Sequence, residues 1–274
     1  MLDEKEIREL VASHGATVST GRSIKELIKD GDLPRLNGVA VVEGKVSDSV
    51  FSDNLVNNVG KPIRLMFRNN RISTHDVNRG AIPFKDQVLA FNHDHMFRLV
   101  KDVLGSSQFE VARLKPSSTV IPAENLDLVQ LENVLRLYMA ESSTSTSLYQ
   151  HWLAAKDAGQ TVMQYAGHEL IVGELEPNGI LPYLMDTPST KDHVDRTTDV
   201  QYLVDNDICS WEQYSQIRNA SLMAFGMISR YLSGKRMVLV DTKTEHGVNS
   251  EGRIVAADEL YTICLLYTSD AADE

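Results

Sequence analysis

The chain of 274 residues has only two cysteines, Cys209 and Cys264, too few for a disulfide framework or a four-cysteine metal site. It has no apolar run long enough to span a bilayer, so no membrane partner is expected. Positive charge is scarce: 27 Lys and Arg stand against 38 Asp and Glu, a formal charge of −11. A nucleic-acid-binding surface normally shows as a basic excess or patch, and the balance argues against such a partner. The first residues, Met1-Leu-Asp-Glu-Lys-Glu6, are charged and helical in pattern, unlike a secretory signal. A soluble cytoplasmic protein is the expectation these absences leave.

What is present is 42% hydrophobic residues, enough for a sizeable core in one large or two small domains. Helical spacing marks residues 3–13 and 24–29. Residues 38–48 read as a strand running into a Gly44-Lys45 turn, which can lay backbone N–H groups and an ammonium against phosphate or be an ordinary hairpin. Residues 61–67 alternate as a strand and end in the polar run Arg68-Asn-Asn-Arg71-Ile-Ser73-Thr-His75-Asp76. A helix follows around Val88 to Leu104. On it His93 and His95 point apart and read as a solvated face.

Residues 109–114 and 118–122 read as short strands, and residues 126–138 as a strand buried over part of its length. The hydroxyl-rich run from Ser142 to Ser147 reads as a flexible linker or as a helix N-terminus presented to an anion, the latter favoured by nearby Arg136. The longest helix is expected over residues 207–232, with Trp211 to Leu232 as its core stripe and Gly234 as its cap.

That helix leads into Met237-Val-Leu-Val-Asp241-Thr-Lys243-Thr-Glu245-His-Gly247, which with Arg253-Ile-Val-Ala-Ala-Asp258-Glu259 reads as a β-hairpin. Strand alternation puts Asp241, Lys243 and Glu245 on one face. A two-residue turn would pair Asp241 with Asp258, and a four-residue turn would pair Lys243 with Asp258. Either way two acids and a lysine suit a divalent metal holding phosphates. An outer face with ordinary cross-strand ion pairs has the same spacing. The final eleven residues, Cys264 to Glu274, follow a strand abruptly and look like the translation of a sequencing adapter, so they are set apart as a scar would be.

The order of motifs resembles the SAICAR synthetase family, the phosphoribosylaminoimidazole-succinocarboxamide synthases of purine biosynthesis. Asp241-Thr-Lys243-Thr-Glu245-His246-Gly247 is similar to that family's Asp-x-Lys-x-Glu-Phe-Gly signature. Gly44-Lys45-Val46 resembles its nucleotide loop, Asn70-Arg71-Ile-Ser73-Thr-His75-Asp76 its Asp-Arg-Ile-Ser-Ala-Phe-Asp segment, and Ile82-Pro83-Phe-Lys85 its Ile-Pro-Gly-Lys. Glu132 to Ser142 resembles its Glu-x-x-x-Arg and Gly-Ser signature, and Thr187-Pro188-Ser189-Thr190-Lys191 repeats its Thr-Pro-Ser-Thr-Lys. Six motifs in order are far more specific than any one. Ser47, Gln130, Glu141 and His246 depart from the arginine, proline, glycine and phenylalanine usual there.

The resemblance implies an α+β fold of two lobes built on mainly antiparallel sheets with flanking helices and an ATP cleft between them. It implies a lobe over residues 1–122 with the Gly-Lys loop and a lobe over 123–263 with the substrate and metal site, lacking the family's Asp-Ser-Ser-Arg stretch and terminal helix. It further implies an ATP- and Mg2+-dependent ligase that joins L-aspartate to 4-carboxy-5-aminoimidazole ribonucleotide (CAIR) through an acyl phosphate. Asp241 and Lys243 would be catalytic, Gly44, Lys45, Lys191 and Glu245 would contact ATP, and Glu245 and Asp258 would hold magnesium. Arg71, Ser73, Asp76, Arg136 and Ser142 would bind the substrates. Homo-oligomerisation stays open. Another ATP-dependent kinase or ligase on a similar scaffold, or a non-catalytic nucleotide-binding protein, would use many of the same residues.

Overall fold

In the computed structural model the described residues are Lys5, Glu9, 22–34, 39–44, 47–56, 60–74, 77–105, 119–191, 196–258, 260–261 and 266–268. The chain divides into two compact units. One comprises Met1–His95, Ser106–Leu126 and Asn249–Glu251, the other Met96–Gly105, Asp127–Val248 and Gly252–Glu274. Both join helices to antiparallel sheets, so the fold class is α+β.

The first unit holds a four-stranded sheet in the order β1 (Ala40–Glu43), β2 (Ser47–Val56), β3 (Pro62–Arg68) and β6 (Val120–Glu124). On one face of β3, Ile63, Leu65 and Phe67 are buried with Val50 of β2 and with Ile24 and Leu27 of α1 (Ile24–Lys29). α1 has the bounds expected from its spacing. It starts at a capping box, in which Ser23 Oγ accepts from the Glu26 N–H at 3.2 Å and the Glu26 carboxylate accepts from the Ser23 N–H at 2.7 Å. β4 (Arg71–Thr74) and β5 (Val77–Ala81) form a separate hairpin. The helix expected over residues 3–13 lies outside the described residues apart from Lys5 and Glu9, and the strand expected over 109–114 lies outside them entirely.

The second unit is built on a sheet in the order β11 (Ile180–Asp186), β8 (Leu131–Tyr138), β14 (Asp241–Val248) and β15 (Ile254–Ala257). β7 (Asp127–Leu128) adds to β14 and β12 (Ser189–Thr190) to β8. Its core joins Leu135 and Ala256 to Phe225, Ile228 and Leu232 of the long helix α5 (Trp211–Ser233) and to Val100 and Leu104 of α2 (Lys85–Leu104). A second core packs Trp152 of α3 (Leu148–Asp157) against β9 (Val162–Tyr165) and β10 (His168–Ile171). α4 (Val200–Asp205) precedes α5 and contributes Leu203 to a third. Leu266–Thr268, within the segment set apart as a scar, form β16 on β13 (Met237–Leu239).

Three expectations are corrected here. The long helix starts at Trp211 behind a Ser210 capping box rather than at residue 207, because Asp207 takes a left-handed φ of 55°. Trp211 is 50% exposed and is no part of the core stripe, since the first turn overhangs it. His93 is buried rather than solvated, and burial and the nearby Arg68 hold its pKa well below the ordinary value.

Truncating Ile228 to alanine should cost about 2–5 kcal/mol, as a fully buried aliphatic does, whereas Trp211→Ala should stay within about 0.5 kcal/mol. Urea unfolding monitored by circular dichroism checks both; equal losses would contradict the placement of the helix.

Candidate functional site

On β14, Thr242, Thr244 and His246 are buried beneath the sheet while Asp241, Lys243 and Glu245 share the opposite face. β8 runs antiparallel to it in the register Asp241↔Arg136, Thr242↔Leu135, Lys243↔Val134 and Thr244↔Asn133. Opposed residues share a face, so the Arg136 guanidinium meets Asp241, donating from Nη1 to Oδ2 at 3.0 Å, and donates from Nε to Thr187 Oγ1 at 3.1 Å. Lys243 stands opposite an apolar valine and reaches diagonally to an ion pair with Glu132. The other Glu132 oxygen accepts from Ser189 Oγ at 3.2 Å. Lys191, one residue past β12, pairs with Glu245.

Three acid–base pairs therefore lie along one sheet face. Their carboxylates are 23% exposed at Asp241, 13% at Glu245 and 9% at Glu132, which is too buried for an ordinary solvated face. Burial raises the Asp241 pKa against the opposing pull of Arg136. Burial also raises that of Glu245, and the charge of Asp258 adds to it, while Lys191 and Lys243 oppose the shift. Both acids are thus destabilised as anions, and a further cation would relieve them.

Asp258 reaches this site by neither register expected from the sequence. β14 and β15 pair from Glu245↔Ala257 to Val248↔Ile254, with residues 249–253 as a five-residue connection. Continuing that ladder would set Asp258 opposite Thr244, on the hidden face. The ladder ends before it, at a left-handed φ of 57°, and the Asp258 charge is felt at Glu245 instead.

In the first unit, Gly44 turns the chain between β1 and β2 and donates its N–H to Ser47 O at 2.9 Å. Arg71 on β4 donates to Gly44 O at 2.9 Å and forms two bonds, of 2.5 and 3.2 Å, with the fully buried Asp48 carboxylate. Lys45 and Asp76 lie outside the described residues, and only the backbone of Ser73 is described. In the second unit Ser142 is engaged in its own loop. Its Oγ accepts from Thr144 N at 3.1 Å and its carbonyl from Gln150 Nε2 at 2.7 Å, so its bonds and those of Arg136 run to different partners. The hydroxyl-rich run ends at Ser147, which caps α3.

Sequence reasoning assigned no role to Glu132, Ser189, Thr187 or Asp48. Glu132 was within reach: Glu132, Val134 and Arg136 alternate along one strand, so the acid and the arginine had to share a face. Asp48 carries no such signal. Among the described residues no three His, Cys, Asp or Glu side chains converge as a metal cage, and no helix is long and apolar enough to cross a membrane.

A family model described as SAICAR synthetase matches residues 41–263. A phosphoribosylaminoimidazole-succinocarboxamide synthase of Legionella pneumophila is 28% identical over 222 residues, covering 80% of this chain and 64% of the relative. A chloroplastic synthase of that name in Arabidopsis thaliana is 28% identical over 200 residues, covering 72% and 46%. The chain thus spans about half to two thirds of these relatives' lengths. Among solved structures, SAICAR synthase from Saccharomyces cerevisiae complexed with SAICAR aligns with a TM-score of 0.69 at 18% identity, covering 86% of this chain and 79% of that one. A SAICAR synthetase in complex with ADP aligns with a TM-score of 0.60 at 21% identity, covering 81% and 80%.

His246 lies 2% exposed on the hidden face, its ring nitrogens without a hydrogen-bond partner among the described residues, and burial pushes its pKa down to about 4. The folded state therefore binds its proton more weakly than the unfolded chain, so stability falls as pH drops from about 6.5 towards 4. His246→Phe should stabilise the protein by about 2 kcal/mol more at pH 5 than at pH 8. Urea titrations of both proteins at the two pH values check this; a pH-independent difference would contradict it.

Proposed function

Because the chain belongs to the SAICAR synthetase family, we propose that it is an ATP-dependent ligase that joins the amine of L-aspartate to the carboxylate of CAIR, giving SAICAR. The observation that carries this reading is the run of half-buried acid–base pairs on the β14 face, Asp241–Arg136, Lys243–Glu132 and Glu245–Lys191. An amine cannot displace oxygen from a free carboxylate, so the carboxylate must first be activated, here as an acyl phosphate made at the expense of ATP. The reaction therefore calls for several anions held together, which is work for placed cations and carboxylates.

In this reading Gly44, Lys45 and Lys191 contact ATP, and Lys191 exchanges its bond to Glu245 for phosphate oxygens. Arg136 and Ser142 take the ribotide phosphate, while Arg71, Ser73 and Asp76 line the substrates. Lys243 neutralises charge that develops on the reacting carboxylate, and Glu132 with Ser189 keeps its ammonium in place. Asp241, whose pKa burial raises, stands ready to take a proton from the ammonium of L-aspartate, freeing the amine lone pair for attack.

Magnesium would be held by Glu245 and Asp258, because their mutual repulsion and the burial of Glu245 favour a cation there. When bound, the ion would neutralise the phosphates of ATP.

Quantifying ADP release with and without L-aspartate in the presence of CAIR tests the reading: a stoichiometric succinocarboxamide product should accompany aspartate-dependent ADP. ADP formed with no aspartate-dependent product would overturn it in favour of a kinase. Lys243→Ala should lower kcat by about 100-fold or more with an unchanged circular dichroism spectrum, the loss typical of a removed charge-stabilising donor.

A further inference from the structure

Away from the β14 face the second unit contains a pocket of about 290 Å³. Its walls come from Thr146 and His151 about the start of α3, from the β9–β10 hairpin, and from Arg196 and Thr197. We propose that this pocket binds a small oxyanion, a phosphate or a carboxylate group, held by Arg196 and His151.

The wall is built stiffly. Tyr165 opposes His168, and Ala166 and Gly167 close the two-residue turn with φ values of 52° and 79°. Both positions of that turn need positive φ, for which asparagine is the usual first residue. Here an alanine accepts it, at the strain cost that a Cβ brings in that region. The Tyr165 hydroxyl donates to Thr146 O at 3.1 Å, and the His151 ring meets the Tyr165 ring edge-on at 5.2 Å. His151 Nδ1 lies 2.9 Å from Ser147 O and, facing a carbonyl, must donate, so Nε2 can donate to an oxyanion in the imidazolium form, which the anion itself would favour.

The charge of the pocket is as specific as its shape. Arg71, Arg136 and Arg218 each hold a carboxylate. Arg196, by contrast, lies over the neutral Tyr202 ring at 5.5 Å, with Nη1 3.3 Å from its hydroxyl, and has no acid partner among the described residues. Among the described residues, the nearby acids Glu169 and Asp199 are engaged elsewhere. Glu169 accepts from Gln164 Nε2 at 3.0 Å, and Asp199 accepts from Tyr202 N at 2.8 Å as the cap of α4. The lining itself contains no carboxylate, only the guanidinium, the imidazole, the hydroxyls of Thr146 and Thr197, and the Gln164 amide beside apolar surface. In a chain of net charge −11, a guanidinium bonded only to a neutral hydroxyl among the described residues, over such a pocket, matches an oxyanion.

The pocket is also tied to β12. Thr190 N donates to Arg196 O at 3.0 Å, and Ser189 bridges Thr197. An occupant would thus brace the segment from which Lys191 projects.

Calorimetric titration of the full chain with inorganic phosphate tests the proposal, using the wild type, Arg196→Ala, Arg196→Lys and, as a basic control outside both sites, Arg230→Ala on α5. Saturable binding is expected, weakened about tenfold or more in Arg196→Ala, partly restored in Arg196→Lys and unchanged in Arg230→Ala. Thermal melts verify that the variants fold, as the exposed side chain of Arg196 leads one to expect. Equal affinity in wild type and Arg196→Ala, non-saturating uptake, or equal weakening in Arg230→Ala would overturn it. Competition then separates two sources of the same chemistry: displacement of phosphate by L-aspartate makes the occupant the substrate amino acid, and its absence makes it free phosphate. The aspartate arm rests on the ligase reading, whereas the phosphate arm stands without it.

Discussion

A carboxylate withdrawn from water must be paired, and the second unit depends on meeting that demand three times on one sheet face. Asp241, Glu245 and Glu132 are each more than three quarters buried, and each is answered by a cation from a neighbouring segment. Arg136 comes from directly across the ladder, Lys243 from the same strand as Asp241, and Lys191 from the turn after β12. The pairing therefore constrains register: slipping β8 by one residue would turn Arg136 and Glu132 into the core and leave the β14 acids unanswered.

The same constraint gives the site its capacity to change. Pairs that are neutral in sum but incompletely screened can trade partners when a polyanion or a divalent cation arrives. Glu245 is the pivot, since burial and Asp258 push its pKa up while two lysines pull it down. Beneath it, Thr242 and Thr244 are buried on the hidden face, and α5 packs against the strand. Asn133 and His246 interrupt that face with polar atoms that find no hydrogen-bond partner among the described residues. They occupy the interior directly behind the charged face, where the family has phenylalanine in place of His246.

Much of this was legible in the residues. Alternation alone placed Asp241, Lys243 and Glu245 together, and helical spacing placed α1 at the bounds it takes, where a capping box at Ser23 and Glu26 starts it. The family's six motifs in order pointed to the fold. The failures have local causes. The hairpin connection is one residue longer than the wider turn considered, and a left-handed residue at Asp258 undoes the face assignment that a strand would have imposed. Helical periodicity cannot tell a first-turn residue such as Trp211 from one over the core, because the overhang depends on what lies beneath. Glu132 was visible in the pattern but needed the register to acquire its partner. Asp48 needed the tertiary fold, since the arginine it holds lies 23 residues away on another strand.

The central claim, that the β14 face exchanges internal pairs for bound ligand, is tested most directly by a site-specific carboxyl 13C titration of Glu245 with and without magnesium and ATP. The account predicts that the pKa of Glu245, raised in the free protein, falls when magnesium and ATP are bound, because cation contact stabilises its anion. A pKa unchanged by saturating magnesium and ATP would show that the face is only a structural array of ion pairs.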